Sequence, residues 1–140
     1  MDIEGADVAV RREAVNPVTW SAALGFDQGA VVSGHTRTLY CSGQTAMSRD
    51  GEPRHAGDMA AQLALSLDNL EAVLGDAGMA LGDLVRLTVY ATDVDLLLAH
   101  YGVLASRLGA AGATPPTSLL GVTRLAVPGQ MVELEATAVA

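Results

Sequence analysis

Gly57 to Gly78, GDMAAQLALSLDNLEAVLGDAG, is the stretch that decides the fold. Met59, Leu63, Leu67, Leu70, Leu74 and Ala77 recur at steps of three and four, the stripe of a helix with one buried face. Asp58 is a residue type that caps a helix N-terminus, and Gly78 is the type expected just past the C-terminus. The spacing predicts a rod roughly 30 Å long. A rod that amphipathic must lie on an apolar surface, and the flanking sequence supplies strands to make one.

Upstream, Gly29–Ser33 (GAVVS) and Thr38–Ser42 (TLYCS) read as two strands joined as a hairpin through Gly34-His35-Thr36-Arg37. The alternation from Val8 to Arg12 predicts an edge strand, and Asn16-Pro17 marks a turn before Trp20. Downstream, Val85, Leu87 and Val89 alternate with Arg86, Thr88 and Tyr90, a half-buried strand. A second helix is expected from Thr92 or Asp93 to about Leu108, on the stripe Leu97, Tyr101, Leu104 and Leu108. A strand from Thr117 to Leu125, a Pro128-Gly129 turn and a last strand from Met131 to Val139 complete the chain.

The fold class expected is α+β: one domain over 1–140, a six-stranded mixed sheet with two helices on one face. Val85, Leu87, Val89, Val132, Leu134 and Ala136 should meet the helices. The opposite face should then show Arg86, Thr88, Tyr90, Thr117, Leu119, Glu133 and Glu135. That mixture is too apolar to leave bare, so a second subunit is expected to cover it, with a small-molecule ligand site at the subunit interface.

Composition narrows the function. Half of the residues are hydrophobic, only five are aromatic, and the formal net charge is −8. All eight basic residues are Arg, and apart from Arg11-Arg12 they are scattered, so no nucleic-acid partner is expected. The single Cys41 excludes an internal disulfide, and His35, His55 and His100 are too isolated to suggest a metal. No apolar run reaches membrane length and no signal peptide is seen, so the expected location is cytoplasmic, with no membrane partner.

The ordered residues of this chain resemble those of the YjgF/RidA family of reactive-intermediate deaminases. The resemblance is carried by Phe26-Asp27-Gln28-Gly29, Tyr40-Cys41-Ser42-Gly43-Gln44 and Asp50-Gly51, then by Gln62 and Asn69-Leu70 in the long helix. It continues through Val85–Tyr90 and the ending Val132-Glu133-Leu134-Glu135-Ala136, so it spans about Asn16 onward. It implies a chorismate-mutase-like subunit, a homotrimer with sites between subunits, and hydrolysis of enamines or imines to ketones and ammonia with no metal or organic cofactor.

The resemblance also marks departures. Active members carry Arg in a Pro-x-Arg-Ser run, where the guanidinium grips a substrate carboxylate. This chain reads Pro115-Pro116-Thr117-Ser118, with Thr117 at the Arg position and Leu119 where Cys is common. Phe26 stands where a Tyr is usual, and His100 falls near a family Asn. Arg124 lies seven residues beyond Thr117, an odd separation that would point it to the other face of a strand. Glu133 matches the acidic residue that holds water, and it is the candidate catalytic residue, able to accept and return a proton. Phe26, Ser42, Gly43, Tyr90, His100, Thr117 and Leu119 are the candidate substrate-binding residues. Glu135 is expected to be structural, pairing Arg86, and Cys41 to be a buried, inert thiol. Two functions stay open: a metal-independent hydrolase or deaminase acting on a small metabolite other than the usual 2-imino acids, or a non-catalytic ligand-binding trimer.

Overall fold

The computed structural model describes residues 9–140. The decisive stretch forms α1, Met59–Asp76. The Asp58 carboxylate accepts the Ala61 N–H at 3.0 Å, and Gly78 (φ 72°) lies past the end in the left-handed region that favours glycine. Leu63, Leu67, Leu70 and Leu74 are fully buried, so the stripe predicted from spacing is the face that packs.

The strands are β1 (Arg11–Val15), β2 (Gly29–Ser33), β3 (Thr38–Gln44), β4 (Leu84–Ala91), β5 (Thr117–Gly121) and β6 (Val132–Val139). They form two sheets, not the single six-stranded sheet expected: a β1-β2 pair, and a mixed sheet in the order β3-β6-β4-β5. β2 and β3 do not pair as a hairpin. In their connection, the N–H groups of Thr36 and Arg37 both donate to the Ala140 carbonyl at 2.9 Å, while Arg37 accepts from the Ala140 N–H. Those bonds bind the connection to the far end of β6, and β2 pairs with β1 instead. Of the predicted edge strand, Val8 lies outside the described residues.

α1 packs on β3 and β6, and α3 (Tyr101–Ala110) packs beside α1. The expected second helix is two: α2 (Val94–Ala99) and α3, separated at His100 (φ −114°, ψ 15°). Asp93 caps α2 by accepting the Leu96 N–H at 2.9 Å. Arg107 of α3 bridges Asp68 and Glu71 of α1, each at 2.7 Å.

Val132, Leu134 and Ala136 of β6 face the helices, as expected. In β4 the inward set is Leu84, Leu87, Val89 and Ala91, with Val85 only half-buried. An irregularity between Leu84 and Arg86, which pair with Ala138 and Thr137, shifts the phase by one residue. β5 ends at Gly121, so Arg124 sits on no strand and strand parity does not govern where it points. No helix among the described residues is long and apolar enough to cross a membrane.

Candidate functional site

The sheet register divides the candidate residues between two faces. On the face without helices, Glu133 lies opposite Tyr90 and Glu135 opposite Thr88. Beside them β3 is irregular: Cys41 pairs with Ala136 and Gln44 with Leu134, so Ser42 and Gly43 together face the single residue between. This bulge sets Gly43 under Glu133. A Cβ on Gly43 would stand 2.5 Å from Cδ, 2.6 Å from Oε1 and 2.9 Å from Cγ of Glu133. Glu133, Ser42 and Gly43 are therefore brought together, with the half-buried Glu133 carboxylate lying on bare backbone.

The polar neighbours have settled partners. The Tyr90 hydroxyl donates to Glu135 Oε1 at 3.2 Å, and that hydrogen bond is the main reason the phenol titrates above its ordinary range. The Arg86 guanidinium donates to the Ser118 hydroxyl at 2.7 Å. Glu135 thus takes Tyr90, not the expected Arg86. Cys41 faces the core and burial raises its thiol, in keeping with an inert role.

Thr117 and Leu119 are not on this face, contrary to the expectation from sequence. β5 runs parallel to β4 with Leu87 against Thr117, Thr88 against Ser118 and Val89 against Leu119. Because Leu87 and Val89 point at the helices, Thr117 and Leu119 point there too, and Ser118 and Leu120 take the open face. Thr117, Leu119 and Phe26 meet instead in a cavity of about 260 Å³, completed by Leu24, Leu98 and Tyr101. Asp27 fastens this wall: its carboxylate accepts from Asn16 at 2.9 Å and from the Thr114 hydroxyl at 2.7 Å, and its N–H donates to the Thr114 carbonyl at 3.2 Å. Phe26 is held against the start of β5 by that clamp, and Trp20 meets Phe26 edge-on at 6.0 Å between ring centroids.

The cavity offers little free polarity. The Thr117 hydroxyl donates to the Pro115 carbonyl at 2.7 Å, and the Tyr101 hydroxyl to the Leu24 carbonyl at 2.7 Å. Burial pushes the Tyr101 phenol up. His100 lines neither group; it occupies the break between α2 and α3, next to the Tyr101 that does line the cavity. Tyr101, Leu24 and Leu98 were not singled out as site residues from sequence, where Tyr101 reads as one more residue of a helix stripe. No cluster of His, Cys, Asp and Glu among the described residues could hold a metal.

The buried amides of Gln62 and Gln130 and the half-buried amide of Asn69 hold the surrounding frame. Gln62 of α1 donates to the His55 and Gly129 carbonyls at 3.0 and 3.1 Å, and its Oε1 accepts the Met131 N–H at 2.8 Å. Gln130 accepts the Ala46 N–H at 2.8 Å, and Asn69 donates to the Thr45 and Met47 carbonyls, each at 2.9 Å. These bonds fix the entry to β6, two residues before Glu133.

Known proteins are similar to this chain in sequence and fold. A family model described as Endoribonuclease L-PSP matches residues 18–140. The RutC family protein YjgH of Escherichia coli K12 is 32% identical over 88 residues, 63% of this chain and 66% of that protein. YyfB of Yersinia pestis, a protein of unknown function in the conserved Rid family, superposes with a TM-score of 0.81 at 34% identity, covering 92% of this chain and 98% of that one. Escherichia coli TdcF, solved with bound serine, gives a TM-score of 0.67 at 32% identity, with 82% and 87% of the two chains covered.

Proposed function

This chain belongs to the endoribonuclease L-PSP family, the YjgF/RidA proteins, and from that premise we propose that it hydrolyses a C–N bond in a small enamine- or imine-like metabolite. The observation that carries the reading is the seat of the half-buried Glu133 carboxylate against the bare backbone of Gly43, at a position only glycine leaves open. In this reading Glu133 accepts a proton from water as the water oxygen adds to the imine carbon, and passes that proton to the nitrogen to give the carbinolamine. Glu133 then takes the carbinolamine hydroxyl proton and delivers it to the nitrogen as the C–N bond breaks, leaving the ketone, ammonia and the regenerated carboxylate.

Glu133 and the Phe26–Thr117–Leu119 cavity lie on opposite sides of the sheet in one protomer. A shared site therefore requires that one copy's Glu133 face another copy's cavity, which supports the homotrimer with ligand at the subunit interfaces. Tyr40, 79% exposed on the helix-free face, is a large side chain suited to such an interface. A cytoplasmic setting belongs to the same reading. The acidic balance of −8 argues against an RNA substrate.

A non-catalytic ligand-binding trimer is the second reading, favoured by the Thr117 hydroxyl being occupied by Pro115. The experiment is Glu133→Gln assayed against a panel of imines generated in situ. An enzyme loses roughly 10²–10⁴-fold in turnover without its proton acceptor. A wild-type protein inactive on the whole panel but stabilised by its members supports the binding trimer instead.

A further inference from the structure

We infer that the cavity between β5, α2 and α3 takes an uncharged, ring-sized apolar group of the ligand, aromatic or branched aliphatic. This deepens the reading above by naming the substrate class, and rests on it for the cavity's being part of the ligand site. The six lining residues, Leu24, Phe26, Leu98, Tyr101, Thr117 and Leu119, include no charged side chain. Their only two hydroxyls donate to the Pro115 and Leu24 carbonyls within the wall, so neither proton is free for a ligand.

The guanidinium groups on neighbouring elements are engaged elsewhere: Arg86 donates to Ser118 across the sheet, and Arg107 is paired with Asp68 and Glu71. Within the protomer, a carboxylate entering the cavity would shed its water with no cation in the wall to receive it, which is costly in an apolar surrounding. A neutral lining calls for a neutral occupant.

Size agrees with that assignment. An apolar cavity of about 150 Å³ holds benzene, so about 260 Å³ accommodates one ring with a small substituent. At the mouth Leu24 is 42% exposed and Leu98 52%. An occupant covering both would remove apolar surface from water, which favours binding. Phe26 lines the cavity and meets Trp20, the only Trp of the chain, edge-on, so Trp20 fluorescence reports on the cavity through Phe26.

The test titrates the full chain with toluene and with benzoate, which differ by methyl against carboxylate, following Trp20 emission and calorimetric heat. Toluene should saturate, and benzoate should bind at least tenfold more weakly. Leu119→Phe, which fills the space, should weaken toluene at least tenfold, and because binding is read without turnover the result stands whether or not the protein proves to be an enzyme. Benzoate binding as tightly as toluene, or no saturation up to the solubility of toluene, overturns the inference. So does toluene binding that Leu119→Phe leaves intact. If Leu119→Phe fails to fold, the wild-type comparison of the two probes still decides.

Discussion

The side chain of Glu133 occupies the space that a Cβ on Gly43 would need, with Cδ only 2.5 Å from that position. The glycine at the β3 bulge thus serves the carboxylate next to it. Its backbone has no positive φ to explain the residue choice; the requirement comes from the neighbour.

Gly43→Ala should leave the fold nearly untouched and remove function. The atoms it would strike include the mobile end of Glu133, which can swing away, so stability should change by less than about 1 kcal/mol. A displacement of about 1 Å at a reacting group can cost roughly 10²-fold in rate. Thermal melts beside turnover on the imine panel check both halves. A variant equal to wild type in turnover would detach the carboxylate from the chemistry.

Assembly should depend on the helix-free face. Light scattering of the wild type should give the mass of three chains at micromolar concentration. Tyr40→Glu puts a charge where the exposed ring would be buried, and loss of an aromatic anchor costs about 2 kcal/mol or more at an interface. The expected result is a shift toward monomer on dilution. A wild-type monomer would remove the intersubunit site altogether.

Thr117 should make the protein nearly inactive on 2-imino acids. A bidentate guanidinium–carboxylate pair contributes about 1.5–3 kcal/mol, roughly ten- to hundred-fold in binding. Its place is held by a hydroxyl already bonded to Pro115. Thr117→Arg should restore little, because Phe26 and Leu119 leave the new charge among apolar neighbours. A coupled assay with iminopropionate against an active family member is the measurement. Wild-type turnover within tenfold of that member would overturn the assignment of the Thr117 position.

Gln62→Leu should be among the costliest substitutions outside the hydrocarbon core. The side chain is fully buried, and its loss strands the Met131 N–H and the carbonyls of His55 and Gly129. Unsatisfied buried groups cost about 1–3 kcal/mol each, and partial hydration should hold the total to roughly 2–4 kcal/mol. Urea unfolding measures it. A loss below about 0.5 kcal/mol would show that the amide is dispensable.

The parts of this molecule legible in its sequence are those governed by local periodicity. The α1 stripe from Met59 to Leu74 packs as its spacing predicts, and Asp58 and Gly78 mark its ends. What escaped was set by partners distant in the chain. The irregularity before Arg86 puts Leu84 in the core in place of Val85, and a bulge of this kind carries no composition signal. Thr117-Ser118-Leu119-Leu120 does not alternate, so its phase comes only from pairing with β4, which turns Thr117 toward the helices. The expected β2–β3 hairpin was lost to the Ala140 carbonyl, which satisfies the turn's N–H groups. The contact of Gly43 with Glu133 was approached only through resemblance, since nothing in either segment alone announces it.

The strand order β3-β6-β4-β5 also separates the two halves of the candidate site by how easily each can change. Glu133 rides on β6, an inner strand paired with β4 along its length and with β3 from Leu134 onward, so the amides of that inner part should be among the slowest to exchange with solvent. Thr117 and Leu119 ride on β5, an edge strand bonded on one side alone, where opening should be cheaper and exchange faster. Substitutions on that edge can reshape the cavity without loosening the strand that carries the carboxylate. The order of the sheet leaves ligand preference free to drift while the proton-handling wall stays fixed.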